Sequence, residues 1–128
     1  MNIRTCFKNI ILLKTVDNME NSINKILKSV VKDLLEGNYQ KITDKSYEKV
    51  IKKSEWIKDE IDGYPGKLTL PPDWAFQDLN IVQVTNQNKL FLDFYLWVDN
   101  EKSDLKMKII LYPTENEVKF TFYDILVP

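Results

Sequence analysis

Residues 90–98 read Leu-Phe-Leu-Asp-Phe-Tyr-Leu-Trp-Val, and this stretch decides the fold. Its even-numbered positions are all apolar, whereas its odd-numbered positions combine aromatic residues with Asp93. Alternation of this kind is typical of a β-strand with one face in a core and the other in solvent. We therefore predict a strand over residues 89–98 that turns its even-numbered side chains inward.

Three further stretches with a period of two lie on either side of this strand, over residues 79–85, 104–112 and 117–127. The polar connections between them are short, which makes neighbouring strands antiparallel. In the last stretch we predict that Leu126 points inward and Ile125 outward. A short extended piece over residues 67–70 and a single turn over residues 73–76 precede these strands.

The first half of the chain has the period of a helix instead. From Met19 onward, apolar residues recur at positions 23, 26, 27, 30, 31, 34 and 35, which form one face of a helix. We predict that this helix covers residues 18–36 and ends at Gly37. Its length and unbroken apolar stripe make it the clearest helical signal in the chain.

Two shorter helices are predicted to follow a turn over residues 38–44. The first begins after Asp44 and turns Tyr47 and Val50 inward, and the second covers residues 54–62 and ends at Gly63. The aliphatic face of the sheet must be covered, and only the helices can cover it. The predicted fold class is α+β, with N-terminal helices packed on one face of a curved antiparallel sheet of about four to five strands.

A chain of 128 residues is long enough for one domain. We divide it into an N-terminal extension, residues 1–18, and a single α+β domain, residues 19–128. Two interpretations of the extension stay open. Met19 can be the natural start, or Ile10 to Val16 can add an edge strand or a packed arm.

Composition excludes several function classes. The chain has no histidine, which removes Ser-His-Asp and Cys-His catalysis and nearly every common zinc site. Cys6 is the single cysteine, so no intramolecular disulfide can form and a cytoplasmic location is expected. A net charge of −1 gives no general attraction to nucleic acid or to an anionic membrane. We expect that the protein binds neither a cofactor nor a metal and that it is not an enzyme.

The outward face of the sheet carries the candidate binding residues. Aromatic side chains and Asp93 alternate there with Lys106 and Lys108, and a loop around Trp74 lies nearby in the chain. Cross-strand pairs of this kind can simply stabilise a solvated face. Tyrosine and tryptophan are also the residues enriched at binding hot spots. For the second interpretation we name five binding candidates: Trp74, Asp93, Tyr95, Trp97 and Tyr123.

Asp93 is the only acid in the middle of a long strand, and we expect no second acid on its face. It can serve as an isolated general base, or it can form an ion pair with Lys106 or Lys108 across the sheet. Four polar residues are predicted to form the tip of the following hairpin: Asp99, Glu101, Ser103 and Asp104. Their spacing begins like a calcium loop but lacks its glycine and its final glutamate, so a turn is favoured over a metal site.

Two motifs carry a resemblance to known families. Residues 34–39, Leu-Leu-Glu-Gly-Asn-Tyr, resemble the helix-end turn of cystatin-like cone folds, the nuclear-transport-factor-two-like superfold. Residues 93–97 with Asp99, Glu101 and residues 103–105 are similar to an Asp-Leu-Trp-x-x-Glu-Glu-Gly-x-Ser-Asp-Leu-Thr-Leu signature of small uncharacterised bacterial domains. The C-terminal residues 123–128 resemble theirs as well. The sequence departs from the signature at Lys102, where glycine is usual, and at Lys106, where threonine is.

This resemblance implies a compact domain of the kind that occurs as immunity proteins paired with bacterial toxins. The missing catalytic residue types, the slightly acidic chain and the aromatic sheet face lead us to the hypothesis of a non-catalytic cytoplasmic binding protein, for which the resemblance implies an immunity- or antitoxin-like partner of another protein. One alternative is a small-ligand-binding or enzymatic cone domain with a pocket around Asp93. The other is a homodimerisation module that uses the aromatic sheet face.

Overall fold

The structure is a computed structural model that describes residues 16–83 and 86–128, with side chains described from Met19 onward. Most of the predicted extension, including all but the last residue of the strand or arm predicted over Ile10 to Val16, lies outside the described residues. So do the last two residues of the strand predicted over residues 79–85. The three helices are α1, Val16–Leu35, α2, Tyr39–Lys45, and α3, Glu55–Asp62. The strands are β1, Leu68–Thr69, β2, Asn80–Gln83, β3, Leu90–Val98, β4, Glu101–Pro113, and β5, Val118–Leu126.

All strand pairs are antiparallel, and their order in the sheet is β1-β3-β4-β5, with β2 also paired to β3. The even-numbered side chains of β3 point into the core, as the alternation predicts. The apolar stripe of α1 is buried in the same core cluster. The α+β class and the packing of N-terminal helices on an antiparallel sheet are therefore confirmed.

The chain between α1 and α3 differs from the prediction. Helix α2 occupies most of the predicted turn, and the predicted helix after Asp44 is absent, because residues 46–53 lie in no helix or strand. This segment instead pairs with the edge of β5. The Tyr47 N–H donates to the Phe120 carbonyl at 2.7 Å, and the Glu48 N–H donates to the Thr121 hydroxyl at 2.9 Å.

These contacts satisfy polar groups at the edge of the sheet. They stabilise the observed conformation more than the weak helical periodicity of residues 46–53 favours a helix. Tyr47 and Val50, predicted to point inward, are 56% and 41% exposed. The Tyr47 ring lies 5.1 Å from the ring of Tyr112, whose hydroxyl donates to Glu48 at 2.7 Å. Burial, together with the Glu48 carboxylate, raises the pKa of Tyr112 to about 12.

A β-bulge in β5 reverses the predicted orientation of its last residues. Lys108 pairs with Asp124 while Ile109 pairs with Phe122, so Tyr123 is an extra residue without a partner on β4. The strand parity changes after this position. Ile125 is buried with 4% exposure and Leu126 is only half-buried, the opposite of the predicted orientation.

The turn between β3 and β4 is shorter than predicted. Asp99 and Asn100 have φ values of 51° and 65°, which fits the two-residue type I′ turn of tight hairpins. Strand β4 begins directly afterwards, so Glu101, Ser103 and Asp104 are strand residues and only Asp99 lies in the turn. The backbone and carboxylate of Asp99 bind the loop before β1, because its N–H donates to the Lys67 carbonyl and its Oδ1 accepts from the Lys67 N–H.

Replacement of Gly66 by alanine is expected to disturb the contact between Asp99 and the loop before β1. Gly66 has a φ of +98°, and an added Cβ would lie 2.5 Å from Asp99 Oδ2 and 2.6 Å from Val98 Cγ1. We expect Gly66→Ala to lower the free energy of unfolding by about 2–4 kcal/mol, from backbone strain and overpacking together. Urea unfolding measures the loss.

Gly37→Ala is the matched control. Gly37 has a similar φ of +73°, but an added Cβ would have no atom within 4 Å. Its replacement should therefore show the backbone strain alone, about 1 kcal/mol. Equal losses for the two variants would mean that the contact with Asp99 and Val98 contributes nothing.

Candidate functional site

A gap in one edge of the sheet creates a depression on the outward face. On this edge of β3, β1 makes its last pair between Thr69 and Trp97, and β2 makes its first between Asn80 and Asp93. Within the described chain, no strand pairs with residues 94–96 on this edge. The connection between β1 and β2 instead forms a 3₁₀ helix, Asp73–Phe76. The depression encloses about 220 Å³.

The 3₁₀ helix places Trp74 at the mouth of this depression. Its neighbours Ala75 and Phe76 are buried, and Phe76 stacks on Phe94 of β3 with ring centroids 5.4 Å apart. Trp74 is consequently held on the outside, where it is 59% exposed. Its ring meets Trp97 edge-on, with a centroid separation of 5.7 Å and an interplanar angle of 78°. Such a geometry is favourable for two indoles.

Asp93 lies at the base of the site between two lysines of β4. Its Oδ2 lies 3.3 Å from Lys106 Nζ, and its Oδ1 lies 3.3 Å from Lys108 Nζ. The ion pair weighed for Asp93 is therefore present with both lysines. Each carboxylate oxygen already has an ammonium partner, so a substrate would have to displace a lysine to reach Asp93.

Asp124 corrects the expectation that no second acid shares the face of Asp93. The bulge brings Asp124 into register with Lys108, which is itself in register with Asp93. The Asp124 carboxylate is exposed and its Oδ1 accepts from the Ile125 N–H at 2.8 Å. The two acids are thus separated by a strand and a lysine rather than facing each other across a cleft, as paired-carboxylate hydrolysis requires.

Two ammonium groups lie near the ring of Tyr95. Lys102 Nζ is 5.1 Å from the ring centroid and Lys106 Nζ is 5.8 Å from it, both within cation–π range. Lys102 is in register with Trp97, and Lys106 is in register with Tyr95. We call the surface formed by Trp74, Asp93, Tyr95, Trp97 and Lys102 the aromatic depression.

Four of the five binding candidates meet in the aromatic depression: Trp74, Asp93, Tyr95 and Trp97. Tyr123 does not line it, because it lies at the bulge of β5, on the far side of β4. Three of the four residues predicted for the hairpin tip have side-chain contacts within the fold. Asp99 holds the Lys67 loop, the Ser103 hydroxyl donates to the Leu96 carbonyl at 2.6 Å, and Asp104 accepts from the Tyr64 hydroxyl.

The sequence-based prediction missed Lys102 and Asp78, which also line the depression. A hairpin tip over residues 99–104, as predicted, puts Lys102 in the turn, whereas the observed turn of Asp99 and Asn100 puts it opposite Trp97. Asp78 follows the 3₁₀ helix, and its position depends on tertiary contacts that the sequence pattern does not encode.

The described residues contain no group of three or more His, Cys, Asp or Glu side chains that could hold a metal ion. Among the helices of the described chain, none combines the length and apolar character needed to cross a membrane.

Comparison with known proteins yields one family. A family model described as Domain of unknown function (DUF7668) matches residues 31–128. The matched region includes the whole aromatic depression and every strand of the sheet. No curated protein and no solved structure matches the chain.

Proposed function

The chain belongs to the DUF7668 family of domains of unknown function, and we propose that it is a non-catalytic domain that binds a partner protein at the aromatic depression. The observation that carries this proposal is the position of Trp74. Trp74 is 59% exposed, although the next two residues of its 3₁₀ helix are buried, and its ring meets a second tryptophan edge-on. Rigid, exposed aromatic side chains of this kind are typical anchors of protein interfaces.

The size of the depression favours a protein partner over a small ligand. Sites that enclose small molecules commonly measure about 300–1,000 Å³. The aromatic depression encloses about 220 Å³ and has Trp74 at its mouth. A space of this size suits one or two side chains of a docked protein, whose remaining contacts would lie around the rim.

The chemistry of the site supports binding without catalysis. Asp93 is paired with Lys106 and Lys108, and the sequence offers no histidine as an alternative base. An enzymatic cone domain built around Asp93 would need this carboxylate to be released from both lysines. We therefore prefer the binding proposal to the catalytic alternative.

The finer form of the proposal is an immunity- or antitoxin-like protein that acts in the cytoplasm of a bacterium. Its support is the resemblance of the β3–β4 hairpin to small bacterial domains. A net charge of −1 gives little long-range attraction to a strongly cationic toxin. Recognition would depend instead on short-range contacts between the aromatic depression and the surface of the partner protein.

Site-specific photo-cross-linking in the organism that encodes the chain tests this proposal. Benzoylphenylalanine at position 74 is expected to form one predominant adduct, in which this chain is joined to a single partner protein. The same probe at position 56 is the control. Trp56 is similarly exposed, at 52%, but it lies on α3, outside the aromatic depression.

Three results would contradict the proposal. They are adducts at position 56 but not at 74, adducts at neither position, and an adduct at 74 that consists of two copies of this chain. The last result would establish the homodimerisation alternative.

A further inference from the structure

We propose that the aromatic depression selects a partner segment that places an acidic side chain beside an aromatic one. The carboxylate would lie near Tyr95 and contact Lys102 and Lys106, while the aromatic group packs against Trp74 and Trp97. This inference rests on the proposed function and specifies the chemistry of the surface that docks there.

The local charge balance is the first argument. Lys106 and Lys108 share the single carboxylate of Asp93. The side chains of this trio are largely withdrawn from solvent, and Lys106 is only 13% exposed. Because attraction between charges is stronger where water is partly excluded, these ammonium groups can attract a second carboxylate more strongly than lysines at an open surface.

Lys102 adds a third positive charge at the rim. It lies over the Tyr95 ring, and within the described part of the chain no carboxylate approaches its ammonium to 4.0 Å. Lys106 lies within 5.8 Å of the same ring centroid. A carboxylate placed near this ring can therefore be reached by two ammonium groups on long, flexible stems.

Two other carboxylates near the aromatic depression also affect its local charge. Asp78 lines the depression and Asp124 lies in register with Lys108 on its far side. Neither forms an ion pair within 4.0 Å with Lys102, Lys106 or Lys108 among the described contacts. Asp78 would also repel a carboxylate that docks on its side, which restricts the acidic group to the side of β4.

The aromatic half of the recognised segment follows from the indole pair. Trp74 and Trp97 meet edge-on, and Trp74 is 59% exposed. Part of the Trp74 ring therefore stays accessible beside Trp97. An aromatic side chain can pack there with favourable ring geometry. Acid and ring would need to be adjacent in the partner, because Trp97, which contacts Trp74, lies in register with Lys102 on β4.

Three blocked tetrapeptides serve as probes: Gly-Trp-Glu-Gly, Gly-Trp-Gln-Gly and Gly-Trp-Lys-Gly. Each is titrated at low salt into the full ¹⁵N-labelled protein while the three indole N–H signals of Trp56, Trp74 and Trp97 are followed. We expect saturable shifts of Trp74 and Trp97, no shift of Trp56, and affinity that falls from the acidic to the neutral to the basic peptide. The acidic peptide should bind about 5-fold more tightly than the neutral one, the effect of roughly one additional ion pair.

Lys102→Gln is expected to remove most of this preference. Lys119→Gln is the matched control, because Lys119 also lies over a tyrosine ring, 4.6 Å from the centroid of Tyr47, but outside the depression. Both lysines are exposed, and the backbone amide spectrum verifies that each variant is folded. The control should keep the preference of the unmodified protein.

Equal affinities for the three peptides would overturn the charge inference while the depression remains a binding surface. A preference that survives Lys102→Gln would overturn it as well. Absence of saturable shifts with every peptide would also overturn the inference, and the cross-linking experiment would still decide the proposed function by itself.

Discussion

Replacing Ile125 with alanine is expected to lower the free energy of unfolding by about 2–5 kcal/mol, the usual loss when a buried isoleucine is truncated. Ile125 is 4% exposed and belongs to the main core cluster. It lies opposite Met107, which is fully buried on β4. Urea unfolding followed by circular dichroism measures the loss, because a domain of this size normally unfolds in one cooperative step.

Leu126→Ala is the matched control for this prediction. Leu126 is the next residue on β5 and is only half-buried, since the bulge at Tyr123 turns it away from the core. Its truncation should cost about 1 kcal/mol, in proportion to the smaller apolar area buried. A larger loss for Leu126→Ala than for Ile125→Ala would contradict the bulge and restore uninterrupted alternation in β5.

The sheet could be predicted from the sequence where two signals agree. In β3 and over residues 105–109 of β4, strict alternation coincides with a run of apolar residues on one face, and the structure confirms that this face is buried. Beyond Ile109 the alternation of burial ends, because Ile110 and Tyr112 are buried as well. The same agreement of period and length makes α1 predictable. Burial of one face fixes the register strongly, because a shift by one residue would expose every core side chain.

The sequence pattern failed where long-range contacts decide the local structure. Residues 46–48 have a plausible helical period, but their backbone and side chains bind the edge of β5 more than 70 residues later in the chain. Tyr123 is inserted into β5 without any change in residue type that would mark a bulge. In neither case does a local propensity compete successfully with tertiary pairing.

The candidate site could be predicted in part. The outward parity of β3 identifies Asp93, Tyr95 and Trp97 as neighbours on one face. That Trp74 joins them depends on the 3₁₀ helix, whose orientation is set by the packing of Phe76 on Phe94. Parity alone predicts that Tyr123 shares this face, and its distance from the other four reflects the strand order, which parity does not encode.

Trp74→Ala is expected to weaken binding of the cross-linked partner by about 30-fold or more, the loss of about 2 kcal/mol that defines a hot-spot residue. The indole is the most exposed large aromatic side chain of the depression, and its removal would leave Trp97 without its edge-on neighbour. The free energy of unfolding should fall by only about 1–2 kcal/mol, because the indole is 59% exposed and its truncation leaves no cavity in the core, and the variant should stay folded under the conditions of the titration. The binding loss therefore cannot be attributed to unfolding.

The ratio of the partner's dissociation constants for Trp74→Ala and Trp56→Ala, measured by titration calorimetry, tests the central claim most directly. Trp56 is exposed to a similar degree, 52%, but lies outside the aromatic depression. We predict a ratio of about 30 or more, with Trp56→Ala equal to the unmodified protein. Equal dissociation constants for the two variants would contradict the claim that partners dock at the aromatic depression.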